Sequence, residues 1–164
     1  MKTETILSAV LISAAALTVL MFAAPFSAPY GAYAGLGGSI GITDRRWSIF
    51  FPDVLYAFGD MVCHQQEGRS LILNGSQMPL CARCTFAIMG AVLGALAAIL
   101  HKGLSAKRAM IAGSILIATA AADWAVQAFL GTAFILSLAV TGAAGGTGLS
   151  VLLYGYLEYG SGEK

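Results

Sequence analysis

The stretch AMIAGSILIATAAADWAVQAFL, residues 109–130, decides the fold of this chain. It runs for 22 residues with a single charged side chain, Asp123. A helix rises ~1.5 Å per residue, so this length crosses the ~30 Å of a bilayer's hydrocarbon. Three more apolar runs accompany it: Ile6 to Ala24, Thr85 to Leu100, and about Ala133 to Leu157. Gly131-Thr132 is so short a connection that the last two helices must be antiparallel neighbours. The reading is an all-α integral membrane protein of about four transmembrane helices, with the lipid bilayer as its first partner.

Composition agrees. Of 164 residues, 58% are hydrophobic and only 10% charged, with a mean hydropathy of +0.80. A soluble domain of this size needs more charge to cover its surface. The net charge is +1 and no basic stripe exists, so nothing points to nucleic acid. A His-Glu-x-x-His, a P-loop and a Gly-x-Ser-x-Gly are all absent, which removes support for the common hydrolases.

Three segments follow from these runs. Residues 1–28 hold the first helix. Lys2 and the later Ala32-Tyr33-Ala34 admit a secretory signal peptide, but an uncharged run of 19 residues favours a retained helix. Residues 29–62 comprise a Gly-, Ala- and Tyr-rich loop and then Trp47 to Val62. Pro52, Asp53 and Asp60 argue against a span there, whereas Trp47, Phe50, Phe51 and Tyr56 suit an interfacial or partly re-entrant helix with these aromatics at headgroup level. Residues 63–164 carry a Cys/His motif and a three-helix membrane core.

Basic residues set the expected orientation of this multi-pass protein in the cell membrane. Lys102, Lys107 and Arg108 crowd the short loop between the second and third spans, and Lys2 and Lys164 fall on the same side. Arg45, Arg46, Arg69 and Arg83 lie on the other. The compact loop closest to its spans decides the matter: both termini are expected inside, and the cysteine segment on the extracytoplasmic face.

That segment reads CHQQEGRS at 63–70 and MPLCARCT at 78–85. Cys81 and Cys84 form a Cys-x-x-Cys at the start of a transmembrane helix, where free backbone N–H groups and the helix dipole favour a thiolate. Arg69 and Arg83 add positive charge to the neighbourhood. Two chemistries compete. Cys63, His64, Cys81 and Cys84 supply three sulfurs and an imidazole, a ligand set for tetrahedral zinc, with iron the less favoured ion. Because Cys63 and His64 are adjacent, His64 can instead stand behind the ligands, with Asp123, Glu67 or water in fourth place. The alternative is thiol–disulfide exchange, with Cys81 attacking, Cys84 resolving and Cys63 as relay. A structural disulfide with one idle thiol is the plainest option.

Asp123 is the second unusual feature. A carboxylate at mid-helix costs ~2.5–3.5 kcal/mol on insertion scales, so it is expected to face the bundle interior or to be protonated. Gln127 is one turn away on the same face, and Thr141 lies at matching depth in the fourth span. These three define a polar cleft opening toward the cysteines, or else interhelical hydrogen-bond glue involving Thr141 or Ser137. A small ion- or proton-coupled transport subunit using Asp123 is a third functional class. Gly90-x-x-x-Gly94 and Gly142-x-x-x-Gly146 are small-residue faces suited to close helix packing, within the bundle or toward a homo-oligomer or membrane-protein partner.

Cys63-His64-Gln65, Arg69-Ser70 and Pro79-Leu80-Cys81-Ala82-Arg83-Cys84-Thr85 together resemble a prokaryotic membrane family catalogued as domain-of-unknown-function family 2085. Asp123 with Gln127 resembles its intramembrane Asp-Gly-x-x-Gln element, and Thr141-Gly142 its later Thr-Gly. The likeness covers roughly Val54 to Leu152. It implies a membrane fold and these site positions, and brings no established activity. Phe86 and Trp124 replace family glycines and are expected to narrow the cleft. Leu138 stands where an arginine often precedes the Thr-Gly, which removes one candidate ion-pair partner of Asp123. The helix-entrance Cys-x-x-Cys is also broadly similar to quinone-linked membrane disulfide oxidases and vitamin K epoxide reductases, so quinone is implied under the redox alternative alone. Those proteins use a second cysteine pair, and only Cys63 is present here.

Overall fold

A computed structural model describes residues 3–37, 47–101, 103–132 and 134–161. Lys2, Arg45, Arg46, Lys102 and Lys164, which entered the charge count, lie outside the described residues, as do Ala133 and residues 38–43 of the expected loop. The chain runs through α1 (Thr3–Ala23), a 3-10 turn (Ala24–Phe26), α2 (Asp53–Val62), a second 3-10 turn (Glu67–Arg69), β1 (Ile72–Leu73), β2 (Ser76–Gln77), α3 (Ala82–Leu100), α4 (Ala106–Leu130) and α5 (Ile135–Ser161). Among the described residues, four helices are long and apolar enough to cross a membrane: α1 with its 3-10 extension, α3, α4 and α5. Helices α3 and α4 each begin three residues before the apolar runs read from sequence. A helix's first turn needs no apolar side chains, because its position is set by the backbone and not by the lipid.

Helix α5 is the hub, packing along both α3 and α4, while α1 lies against α3. The α3–α5 crossing is made by glycine. A Cβ on Gly90 would sit 2.1 Å from the Ala143 carbonyl oxygen, and one on Gly146 would sit 1.8 Å from that of Ala87. Both small-residue faces are thus used against each other inside one chain, where lost apolar area gains little and backbone proximity supplies the packing.

At one end of the bundle Leu7 meets Ala98, Ala109 and Tyr154. At the other, Met21 and Ala24 of the α1 segment join Leu55, Tyr56, Cys63, Met78 and Leu80 in a larger cluster. The site is built on this second end.

Two local features differ from the sequence reading. The interfacial helix begins at Asp53 and not at Trp47, because Pro52 stands at its N-cap and proline fits a helix start but not its interior. It buries Leu55, Tyr56, Gly59 and Asp60, leaving Val54, Phe58, Met61 and Val62 as an outward apolar face. Between the two halves of the cysteine motif lies a hairpin that the sequence reading did not assign, with Ile72 opposite Gln77 and Leu73 opposite Ser76. Asn74 and Gly75 take φ of 50° and 67° in its two-residue turn, the left-handed pair that matches the twist of two strands. The Asn74 amide donates to the Pro25 and Ala28 carbonyls at 2.9 and 3.2 Å, tying the hairpin to the end of α1.

Candidate metal centre and intramembrane polar network

Gln65 organises the loop that carries Cys63. Its backbone is left-handed, with φ 45°, and its side chain is buried. The amide Nε2 donates to the Tyr56 carbonyl at 3.2 Å and the Pro79 carbonyl at 2.7 Å. In return the Gln77 amide donates to the Gln65 carbonyl at 2.9 Å, and the Tyr56 hydroxyl donates to the Gln77 carbonyl at 2.6 Å. A buried amide N–H left unpaired carries a desolvation penalty of ~1–3 kcal/mol, so these bonds pin the Cys63 loop against the residues before Cys81, although the buried Gln77 Oε1 finds no partner among the described residues. Tyr56 in turn stacks on Tyr33 with ring centroids 3.8 Å apart, and packs beside Trp47 at 5.8 Å. The Tyr33 hydroxyl donates to Asp53, and the Trp47 indole to the buried Asp60. The two carboxylates that argued against a span are therefore anchors for the aromatic wall behind the site.

This scaffold brings Cys63, Cys81 and Cys84 together, with all three sulfurs within 4.8 Å of one another. All three are free thiols. Cys81 is the N-cap of α3, and its N–H donates to the Cys63 sulfur at 3.3 Å. Hydrogen bonds from the Cys81 and Cys84 thiols, with further ones from the Gln65 and Cys81 backbone, hold the Cys63 thiol far below its ordinary 9.0 against the opposing effect of burial. The Cys81 thiol is pushed up, chiefly by the proton it donates to Cys63. The hydrogen-bond donors of the cluster thus converge on the most buried sulfur. Backbone N–H groups aimed at sulfur, in a cluster of soft donors, suit a thiolate-bound metal.

His64 does not join them: its side chain is exposed and stands outside the three-sulfur group. Adjacent residues on an extended backbone point apart, which is why Cys63 faces inward and His64 outward. Glu67 is likewise exposed and outside the group.

In the first turn of α3, Arg83 turns away from the thiols. Its Nη2 donates to Asp123 Oδ2 at 2.7 Å, an ion pair between side chains 17% and 18% exposed. The same carboxylate accepts from Gln127 Nε2 and Thr141 Oγ1, both at 2.8 Å, and from the Ser137 hydroxyl. Asp123, Gln127 and Thr141 therefore meet in one hydrogen-bonded cluster between α4 and α5. Ser137 belongs with them. The replacement of the family arginine by Leu138 does not leave Asp123 without a cation, because Arg83 of the cysteine motif supplies one; Leu138 is fully buried. Trp124 does not narrow the cleft either, being 60% exposed on the outer side of α4. Successive helix positions are ~100° apart, so a residue next to an inward aspartate readily faces lipid.

The network closes through Arg69, whose Nη2 donates to Gln127 Oε1 at 3.5 Å. Cys63-loop, α3, α4 and α5 are thereby joined by side chains alone. Sequence reasoning did not single out Tyr33, Trp47, Tyr56 and Gln77 as the support of the site. The Asn-Gly turn between short apolar pairs was a readable signal of the hairpin; the aromatic stack had none.

The fold and site together define a small multi-pass helical membrane protein with a three-thiol cluster at one end of its bundle. The family model described as a predicted membrane protein, DUF2085, matches residues 63–152, more than half of the chain, and the chain belongs to that family. An uncharacterized protein of Methanocaldococcus jannaschii is 34% identical over 76 residues, covering 46% of this chain and 44% of the relative. The chain thus spans less than half the length of this curated relative. No solved structure matches the chain.

Proposed function

We propose that this membrane protein binds one zinc ion through Cys63, Cys81 and Cys84, on the extracytoplasmic face above the Asp123 cleft. The observation that carries this reading is the convergence of three free sulfurs within 4.8 Å. Zinc suits soft thiolate donors held in a closed cage, and its binding requires the thiols to lose their protons, which the N–H donors around Cys63 favour. The fourth position falls to water or to a group from outside the trio, which is the arrangement of sites that present a reactive ligand.

The outward placement rests on chain polarity. The trio stands at the start of α3, and Lys107 and Arg108 follow its far end, so the two lie on opposite sides. Basic residues in a short loop mark the cytoplasmic side.

The competing readings are weaker for stated reasons. Thiol–disulfide exchange needs Cys63 as the relay thiol to meet an incoming disulfide, yet Cys63 is 5% exposed. In ion coupling Asp123 must bind a cation, yet Arg83 already occupies that place.

The test is to purify the full chain in detergent without oxygen, then measure bound metal by elemental analysis alongside a count of alkylatable thiols. About one equivalent of zinc, lost in Cys81→Ser, is the expected result. No metal, with a single free thiol that becomes three on reduction, would overturn it in favour of a disulfide.

A further inference from the structure

A second site stands apart from the cysteine trio. Between the loop after Cys63 and the connection from α4 to α5 lies a cavity of about 490 Å³, lined by Gln66, Gly68, Arg69, Gln127, Gly131 and Thr132 among others. It shares no side chain with the three sulfurs.

Charge is what distinguishes it. The polar network holds two arginines, Arg69 and Arg83, and one carboxylate, Asp123. Asp123 is already neutralised by Arg83, so the charge of Arg69 is left over. Among the described residues no carboxylate lies within ion-pair distance of Arg69, the nearby Glu67 included. A guanidinium carries five N–H donors in a planar fork. Here one of them meets an amide oxygen at 3.5 Å, longer than an ordinary hydrogen bond. Gln127 is fixed in the orientation that makes even this contact, because its Nε2 is committed to Asp123 and Ser137 at 2.8 and 3.2 Å. That leaves only the oxygen to face Arg69. Arg69 also donates to none of the last carbonyls of α4, so it is not simply a cap on that helix.

We infer that this cavity binds a phosphate group, with Arg69 as the anchoring cation held in place by Gln127. The site lies where the apolar helix α4 ends at Gly131, and headgroup phosphates flank the ends of membrane-spanning helices. The planar fork of Arg69 matches phosphate oxygens in pairs. Gln66 and Thr132 line the remaining wall with further polar groups. A lipid headgroup and a soluble phosphate present the same chemistry to the cavity.

The experiment uses the full chain in non-ionic detergent and phosphate-free buffer. One arm titrates inorganic phosphate by calorimetry. The other offers phosphatidylglycerol and scores retained lipid by native mass spectrometry. Arg69→Gln removes the charge. Gly68→Glu leaves Arg69 intact but sets a carboxylate beside it, at a position where an added Cβ meets nothing within 4 Å. Binding in either arm that falls roughly tenfold or more in Arg69→Gln supports the site, and the arm that responds names the source. Should Arg69→Gln melt below wild type, Gly68→Glu decides by the same criterion. Absence of binding in both arms, or equal binding by wild type and the deciding variant, would overturn the assignment.

Discussion

Arg83 and Asp123 are joined by a 2.7 Å ion pair that links the middle of the Cys81–Cys84 motif to the interior of α4. The residue between two candidate metal ligands is thus also the cation that neutralises an intramembrane carboxylate. Whatever shifts the first turn of α3 is felt at Asp123, and through Ser137 and Thr141 by α5.

Replacing Asp123 by Asn keeps the shape of the side chain and removes the charge that Arg83 requires. The expected loss is roughly 2–4 kcal/mol of stability, since an unpartnered buried cation is worse than no pair at all. The double variant Arg83→Met/Asp123→Asn is expected to lose less than the sum of the two single changes. Thermal unfolding in detergent, run as a double-mutant cycle, measures this. Additive losses would show that the pair is not coupled.

The trio and His64 separate cleanly by mutation. Cys63→Ser, Cys81→Ser and Cys84→Ser each remove a sulfur from the cluster and are each expected to abolish zinc retention. His64→Ala alters an exposed side chain outside the cluster and is expected to leave the metal content at wild-type level. Elemental analysis of the four variants, purified side by side, is sufficient. Metal loss in His64→Ala would place the imidazole among the ligands after all.

Glycine at the α3–α5 crossing is indispensable by geometry. A Cβ on Gly146 meets the Ala87 carbonyl oxygen at 1.8 Å, and that atom belongs to backbone and cannot swing aside. Gly146→Ala is expected to destabilise the bundle by about 3 kcal/mol or more. Gly160→Ala, where nothing lies within 4 Å, serves as the control on the same helix and should melt like wild type.

Acid should loosen the aromatic wall. The Tyr33 hydroxyl donates to Asp53 and holds its carboxyl below the ordinary 3.8, while burial and the same bond raise Tyr33 to about 12. A lowered carboxyl pKa contributes stability that is full above the unfolded value and disappears as pH falls through the folded one. The contribution is therefore present above pH about 4 and lost on further acidification. Tyr33→Phe is expected to flatten this part of the pH dependence of the melting temperature. An unchanged acid limb in that variant would remove Asp53 as its source.

Much of the architecture was legible without coordinates. Runs of apolar residues longer than a bilayer is thick leave few alternatives, since a backbone in hydrocarbon must satisfy its own hydrogen bonds and a helix does so segment by segment. The same logic placed Asp123 inside the bundle, and helical spacing put Gln127 beside it. The clustering of Cys81 and Cys84 followed from their separation alone, because three residues make less than one turn.

The tertiary structure decided the rest, because contacts between distant segments leave no periodic trace in a sequence. Spacing could not tell that Cys63 turns inward and His64 outward, as that depends on the Gln65 amide bridging Tyr56 and Pro79. It could not tell that Arg83 leaves the thiols for Asp123, 40 residues away, or that Ser137 joins it. Nor could it show that the two glycine faces satisfy each other within one chain. In each case the outcome was set by which polar or small groups the helix crossings happened to bring together, where an unpaired charge or a misplaced methyl is too costly to tolerate.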